Sequence, residues 1–202
     1  QEKFRIHIHK SIPVGAGLGG GSADGAAVLI GLNKLLKLKL STAELCEIGM
    51  KIGSDIPFSI RNTPMRVQGK GNILTPVKMK KSYNILILSP KKGLSTKEVY
   101  TKYDEVGASP SSNIEGLIEA LATDNEKLMH ESLGNQLEKA AIEIYPELVQ
   151  IKQSMENEGL KPSMMTGSGS TLFYISNNLK LMKKAYNTLK EKGFNVVLTK
   201  TI

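Results

Sequence analysis

The sequence predicts an α+β protein organised in two layers, and three observations support that fold class. Apolar and polar residues alternate over Phe4–Ile8, which is the period of a half-buried strand. Helical patterns with capping residues occupy much of the rest of the 202-residue chain. β-type runs return three times after residue 82, so strands and helices contribute along the whole chain.

The predicted elements of the first half are a strand, two helices and a short hairpin. They are expected, in chain order, over 4–8, 26–36, 42–51, 65–68 and 73–75. The second helix opens on a capping box, Ser41–Glu44, in which serine and glutamate satisfy each other's backbone donors. Gly69 and Gly71 provide the turn between the two short strands.

The lysine-rich segment 76–82 is the predicted domain boundary, and it divides the chain into domains 1–78 and 79–202. The second domain opens with a β-type run and continues with further helices and strands. Strands are expected over 83–88, 172–176 and 194–200. Helices are expected after Ser95, from Asn113 to Leu121, and over 125–133, 135–144, 146–158 and 178–192.

Composition narrows the function classes. Lys and Arg exceed Asp and Glu by 27 to 19, but the lysines are dispersed, Trp is absent and aromatic residues make up 5%. A base-stacking surface is therefore poorly supplied, and we expect no nucleic-acid partner. No run has the length of a membrane span, so no membrane partner is expected. The single Cys46 suits a reducing, cytoplasmic compartment. Both a monomer and a homodimer are compatible with the sequence.

A glycine-rich loop, Pro13–Ala27, lies between the first strand pattern and the first helix pattern. Five glycines fall within seven positions, and Ser22 and Asp24 follow at once. Glycine lets backbone N–H groups turn toward a ligand, and a helix N-terminus adds unpaired donors and partial positive charge. Together these features predict a cradle for phosphate.

Two other phosphate-binding loops fit this segment less well. A Walker A loop ends in Gly-Lys-Ser/Thr, and no lysine stands between Lys10 and Lys34. The dinucleotide spacing Gly-x-Gly-x-x-Gly is present, but the preceding strand pattern is half polar and Pro13 interrupts the approach to the loop.

The loop resembles the central phosphate-binding motif of the GHMP kinases. Gly53–Phe58 and Thr166–Ser170 resemble two further motifs of that superfamily, in the expected order. The resemblance implies a two-lobed GHMP kinase fold, with a ribosomal-S5-like N-terminal lobe that is incomplete here and an α/β C-terminal lobe. It also implies ATP and Mg²⁺ as cofactors.

The triple glycine Gly19–Gly21 is most similar to the members that phosphorylate the 2-hydroxyl of 4-diphosphocytidyl-2-C-methyl-D-erythritol in the non-mevalonate isoprenoid pathway. The resemblance implies this reaction, with a small-molecule cytidyl diphosphate as partner. The alternatives are another GHMP kinase, acting on homoserine or a mevalonate-type alcohol, and a nucleotide-binding fragment without catalysis. The fragment hypothesis arises because the family's catalytic lysine belongs to a segment ahead of Gln1, so this chain is expected to be inactive if it is truncated.

The resemblance also assigns the site residues. Asp55 matches the catalytic acid–base residue, although a bare Asp-Ile-Pro is more often a turn or cap. Ser22 is also a candidate contact for the metal. The expected cofactor-binding residues are Pro13, Val14, Gly15, Ala16, Gly17, Leu18, Gly19, Gly20, Gly21, Ser22 and Ala23. The expected substrate-binding residues are Thr96, Tyr100, Gly167, Ser168 and Gly169.

Several alternatives stay open at this stage. Tyr100 fits an ordinary core aromatic equally well, and Thr166–Ser170 alone would be a simple hairpin turn. His7 and His9 are expected to be exposed strand positions rather than metal ligands. Asp24 is expected to favour the helix start electrostatically. Asn72 stands where the family usually has glutamate, and Ala23 where close relatives often have a second serine.

Overall fold

A computed structural model describes residues 3–109 and 112–202. The chain folds into two compact units. The first comprises the residues up to Val14 together with Gly19–Pro76, and the second comprises Gly15–Leu18 together with Val77–Ile202. Helices and strands occur in both, so the expected mixed fold class is confirmed. The four residues that separate the two parts of the first unit lie inside the glycine-rich loop.

The first unit contains three helices and one hairpin. They are α1 (Gly20–Leu35), α2 (Thr42–Met50), α3 (Ile56–Arg61), and the antiparallel strands β1 (Met65–Gln68) and β2 (Ile73–Pro76). The three helices meet in a small apolar core formed by Ala26, Leu45, Ile56 and Ile60. The capping box at the start of α2 is present, with the Ser41 side chain accepting from the Glu44 N–H and Glu44 bonding back to Ser41.

The strand predicted over Phe4–Ile8 is wrong. Residues 3–11 form neither helix nor strand, and Phe4, Ile6 and Ile8 are 44%, 55% and 49% exposed. An alternating pattern marks the side chains that a strand would bury, but a strand also needs a hydrogen-bonded neighbour. In the described part of this unit, β1 and β2 pair only with each other. His7 and His9 are exposed, as expected, in this irregular segment.

The second unit is built on a four-stranded antiparallel sheet in the order β4-β5-β3-β6. The strands are β3 (Asn84–Ser89), β4 (Met164–Met165), β5 (Leu172–Ser176) and β6 (Asn195–Lys200). The helices are α4 (Thr96–Val106), α5 (Ile114–Thr123), α6 (Glu126–Ser132), α7 (Glu138–Ile144), α8 (Leu148–Glu156) and α9 (Leu179–Glu191).

Apolar packing covers both faces of this sheet. Along β5, Leu172 and Tyr174 belong to one core, whereas Phe173 and Ile175 pack in another. Successive side chains of a strand point to opposite faces, so the two cores lie on opposite sides of the sheet. The first core holds residues of α4, α7, α8 and α9, and the second holds residues of α5 and α6. The second unit therefore has three layers rather than the two expected.

A polar cluster fastens the α5–α6 connection to the end of β5. The Tyr83 hydroxyl donates to Asp124 at 3.0 Å, and the Asn177 N–H donates to Glu126 at 2.9 Å. Burial, followed by the hydrogen bond to Asp124, raises the pKa of Tyr83 to about 12. Lys81 lowers the pKa of Asp124 by its own hydrogen bond. These titratable groups are already engaged in holding the fold.

No helix of the described residues is long and apolar enough to cross a membrane.

Candidate active site

The glycine-rich loop runs directly into α1, as the sequence predicts. Gly15, Gly17 and Gly19 have φ values of 68°, 72° and 65°, a region that favours glycine. Gly19 is the N-cap of α1, and no side chain caps the helix there. The loop has two parts with different surroundings. We call Gly15–Leu18 the docked half and Gly19–Ala23 the open half.

The docked half is held by hydrogen bonds to distant segments of the second unit. The Leu94 N–H donates to the Gly15 carbonyl at 3.0 Å, and the Thr171 N–H donates to the Ala16 carbonyl at 3.3 Å. The Thr166 hydroxyl donates to the Gly17 carbonyl at 3.1 Å. The backbones approach so closely that a Cβ on Gly17 would lie 2.2 Å from the Thr166 carbonyl oxygen. This half is therefore occupied by contacts with the protein itself.

The open half presents backbone to free space at two of its three glycines. Apart from chain neighbours and the backbone of α1, a Cβ built on Gly19 or Gly21 would meet no described atom within 4 Å, whereas one on Gly20 would lie 3.1 Å from Ile12 Cγ2 and 3.4 Å from Lys10 Nζ. The first N–H groups of a helix have no partner within that helix, and the helix dipole adds positive charge at the same end. Ser22, in the first turn of α1, is half-buried. This arrangement of donors, positive potential and open space fits a phosphate group.

Lys10 and Asp24 form an ion pair beside the open half. Both side chains are 32% exposed. Asp24 lies in the second turn of α1, and the first turn contains no acidic residue. Its carboxylate is engaged by Lys10, and its electrostatic effect on the helix start stays a prediction.

Asp55 lies between α2 and α3 with its side chain exposed. Its carbonyl accepts from the Ser59 N–H at 3.1 Å and the Ser59 hydroxyl at 3.0 Å, so the first turn of α3 fixes its backbone. Its carboxylate makes no cap hydrogen bond, although Asp55 holds the N-cap position. The sequence places Asp55 before a strand, whereas the structure inserts α3, which begins with Pro57 in its first turn.

Ile56 anchors this acid to the first unit's core. A Cβ on Gly25 of α1 would lie 2.9 Å from Ile56 Cδ1, and one on Gly49 of α2 would lie 2.7 Å from Ile56 Cγ2. Ile56 is buried, so the residue that follows Asp55 is wedged between two helices. The carboxylate thus extends to solvent from a rigid position.

The turn of the β1–β2 hairpin packs on the other side of this acid. A Cβ on Gly71 would lie 2.3 Å from the carbonyl oxygen of Ser54. Asn72, which replaces the family's glutamate, accepts from the Lys70 N–H at 3.0 Å and closes the turn locally. The hairpin therefore supports the backbone that carries Asp55.

The Thr166–Ser170 segment is a tight turn between β4 and β5. The Gly169 N–H donates to the Thr166 carbonyl at 3.0 Å, and the Thr166 N–H donates to the Thr171 carbonyl at 2.9 Å. The hairpin interpretation is thus correct for its backbone. The same turn also contacts the docked half, so the structure joins two of the motifs that the sequence singled out.

The predicted substrate residues Thr96 and Ser168 are brought together, with their hydroxyl oxygens 3.0 Å apart. Tyr100 follows one turn later on α4 and is 54% exposed. A core aromatic would be buried, so that alternative is wrong, and more than half of Tyr100 is open to solvent. Gly167 is exposed beside Ser168, whereas Gly169 is buried against Met165 and Leu94.

Sequence reasoning missed two residues that hold this region. The Leu94 N–H donates to the Gly15 carbonyl of the docked half. The Asn135 amide donates to the carbonyls of Met165 and Gly167, each at 2.8 Å. Neither belongs to a motif that the sequence displays. In the described residues, no group of three or more His, Cys, Asp or Glu side chains is placed to hold a metal ion.

Comparisons with known proteins decide the family. Residues 1–63 match the family model for the GHMP kinases N terminal domain, and residues 114–195 match the model for the GHMP kinases C terminal domain. The chain is 38% identical over 204 residues to the 4-diphosphocytidyl-2-C-methyl-D-erythritol kinase of Clostridium perfringens. The aligned region covers 100% of this chain and 71% of that protein.

The chain belongs to the GHMP kinase family. It is therefore a kinase, of a family whose members are ATP-dependent. This GHMP kinase also resembles the crystal structure of a 4-(cytidine 5'-diphospho)-2C-methyl-D-erythritol kinase, with a TM-score of 0.78, 28% identity and coverage of 95% of this chain and 68% of that one.

A homoserine kinase structure from Cytophaga hutchinsonii is less similar in sequence. Its TM-score is 0.74 and its identity 18%, over 96% of this chain and 68% of that one. At that identity the likeness shows a shared fold alone. This likeness therefore does not favour an activity on homoserine.

Proposed function

We propose that this GHMP kinase transfers the γ-phosphoryl group of ATP to the 2-hydroxyl of 4-diphosphocytidyl-2-C-methyl-D-erythritol, a step of the non-mevalonate isoprenoid pathway. The observation that carries the proposal is the open half of the glycine loop, a helix N-terminus without a side-chain cap and with open space at Gly19 and Gly21, in a chain that is 38% identical to a kinase of that name.

The open half is the proposed phosphate site. The N–H groups of Gly20 and Gly21 and the hydroxyl of Ser22 would hold the phosphates of the nucleotide, and Ser22 is also the candidate contact for Mg²⁺. The bound nucleotide supplies the phosphoryl group, and the metal neutralises developing charge. The absence of a Cβ at Gly21 leaves room for a phosphate oxygen close to the backbone.

Asp55 is the proposed acid–base residue. Its carboxylate is exposed, makes no cap hydrogen bond and stands on a backbone fixed by Ile56 and Ser59. An exposed carboxylate on a fixed backbone can orient the acceptor hydroxyl and take its proton as the phosphoryl group is transferred. Phosphoryl transfer depends mainly on positioning and charge stabilisation, so a rigid support for the carboxylate is what the reaction requires.

The acceptor would bind along α4 and the Thr166–Ser170 turn. The accessible ring of Tyr100 suits the flat face of a cytosine. The hydroxyls of Thr96 and Ser168 and the exposed backbone at Gly167 offer polar groups beside it. Gly169 shapes the turn from its buried position.

The test is a substrate comparison combined with Asp55→Asn. We expect the protein to phosphorylate the cytidyl compound and to leave homoserine and mevalonate unreacted. Asp55→Asn should lower kcat by about 10²–10⁴-fold, because a general base contributes an effect of that size. Its melting temperature and its affinity for Mg·ATP should stay unchanged, since the carboxylate caps nothing.

Glu191→Gln provides the matched control, because Glu191 is an exposed carboxylate of α9 and lies outside every segment of the proposed site. Turnover equal to that of the unmodified protein is expected for this variant. Preference for homoserine or mevalonate would contradict the proposed acceptor, and full activity of Asp55→Asn would contradict the proposed role of Asp55.

A further inference from the structure

Asn135 stands in the short connection between α6 and α7, and every hydrogen-bonding group of its side chain except one lone pair is engaged. Its amide nitrogen donates to the carbonyls of Met165 and Gly167, each at 2.8 Å. Its amide oxygen accepts from the Leu137 N–H at 2.9 Å. An asparagine amide carries two donor hydrogens, so the two carbonyls use both of them.

The two carbonyls that Asn135 binds flank Thr166. The Thr166 N–H is already bonded to Thr171 and its carbonyl to Gly169, so the backbone around Thr166 is fixed in every direction. This leaves the hydroxyl to donate to the Gly17 carbonyl at 3.1 Å. Gly17 is two residues before Gly19, the N-cap of α1. A continuous path therefore leads from Asn135 through Thr166 to the glycine loop.

Two other asparagines of the second unit act locally, whereas the Asn177 amide donates to Asp124, 53 positions away, at 3.4 Å. Asn113 and Asn125 accept from the N–H three residues ahead and cap α5 and α6. Asn135 instead joins residues that are 30 and 32 positions away in sequence. Its contacts are made with the turn that supports the docked half rather than with its own helix.

We propose that Asn135 is a positioning residue for phosphoryl transfer, which acts through Thr166 to hold the docked half so that the open half presents its donors to the nucleotide. The inference rests on the proposed function, because it assigns Asn135 to the nucleotide side of that site. It predicts that the side chains of Asn135 and Thr166 act as one unit.

A double-mutant cycle on Mg·ATP affinity tests this. Asn135→Ala and Thr166→Val should each weaken Mg·ATP binding about five- to tenfold. The affinity of the double variant should lie within about twofold of either single variant, because the effects of residues in one network do not add. Asn135→Asp keeps the shape and the bond from Leu137 but loses both donors, so it should behave like Asn135→Ala. Calorimetric titration gives the affinities.

Asn125→Ala is the control, since it removes an asparagine that caps α6 and has no bond to the Thr166 turn. It should lower the melting temperature and leave the Mg·ATP affinity unchanged. Asn135→Ser, which retains one donor, replaces Asn135→Ala if that variant does not fold. Effects that multiply in the double variant, or an Asn135 variant that loses stability with unchanged affinity, would overturn the inference.

The same measurements separate this inference from the proposed function. If the unmodified protein binds Mg·ATP and shows the expected coupling but does not phosphorylate the cytidyl compound, the acceptor assignment fails and the role of Asn135 stands. If the unmodified protein does not bind Mg·ATP, both are overturned.

Discussion

The docked and open halves of the glycine loop are adjacent in sequence and similar in composition, but their surroundings differ. In the docked half, three carbonyls accept hydrogen bonds from Leu94, Thr166 and Thr171. In the open half, a Cβ on Gly19 or Gly21 would have no described atom within 4 Å apart from chain neighbours and the backbone of α1. One half is packed against the protein, and the other is the half that we propose binds the nucleotide.

Glycine is needed for two different reasons within this one motif. At Gly17 the missing Cβ lets another backbone approach, because a Cβ would lie 2.2 Å from the Thr166 carbonyl oxygen. At Gly21 no protein atom needs the space, so an effect of substitution there would report a ligand. Alanine at these two positions should therefore separate stability from binding.

Gly17→Ala should have the largest effect on stability. The new methyl group meets backbone, and φ is 72°, a conformation that costs a side chain about 1–3 kcal/mol before the clash is added. We expect a loss of about 3 kcal/mol or more, which lowers the melting temperature by about 10 °C. Thermal denaturation followed by circular dichroism measures it. An unchanged melting temperature would show that the docked half is not held as described.

Gly21→Ala should leave stability intact and weaken nucleotide binding. Alanine is favoured over glycine inside a helix by up to about 1 kcal/mol, so the melting temperature should stay equal or rise slightly. The affinity for Mg·ATP should fall at least about tenfold, because the methyl group occupies the space in which a phosphate approaches the backbone. Calorimetric titration beside Gly17→Ala provides the comparison. Undiminished affinity would contradict the ligand role of the open half.

Lys10→Met should have the smallest effect. The Lys10–Asp24 pair is about one-third exposed, and exposed ion pairs contribute about 0–1 kcal/mol. Denaturant unfolding at low and high salt should show a small difference from the unmodified protein that shrinks as salt increases. A loss comparable to that of Gly17→Ala would mean that the pair, and not backbone docking, holds this end of the loop.

Much of the second unit could be predicted from sequence because its signals are local. The strand over 172–176 is present with the same bounds, and Asn113 caps α5 as expected. In the first unit, the turn residues Gly69 and Gly71 likewise lie between β1 and β2. Capping side chains and turn glycines act on their own neighbours, so their positions in sequence carry the structural information.

The errors have a common physical cause. The alternation over Phe4–Ile8 indicates a strand, but no described strand pairs with it. The helix α3 has six residues, which is too short for a periodic pattern to show. β4 has two, Met164 and Met165, and exists through its pairing with β5. These elements depend on neighbours that are distant in sequence.

The sequence by itself determined the family and the motifs that indicate it, among them the glycine-rich loop and the segment around Asp55, because these depend on residue types at short spacings. Only the tertiary structure divided the loop into a docked and an open half and exposed Tyr100. It also brought the Asn135 amide to the two carbonyls that flank Thr166. Such features arise where segments separated by 30 to 149 positions meet, and hydrogen bonds over those separations leave no periodic trace in the chain.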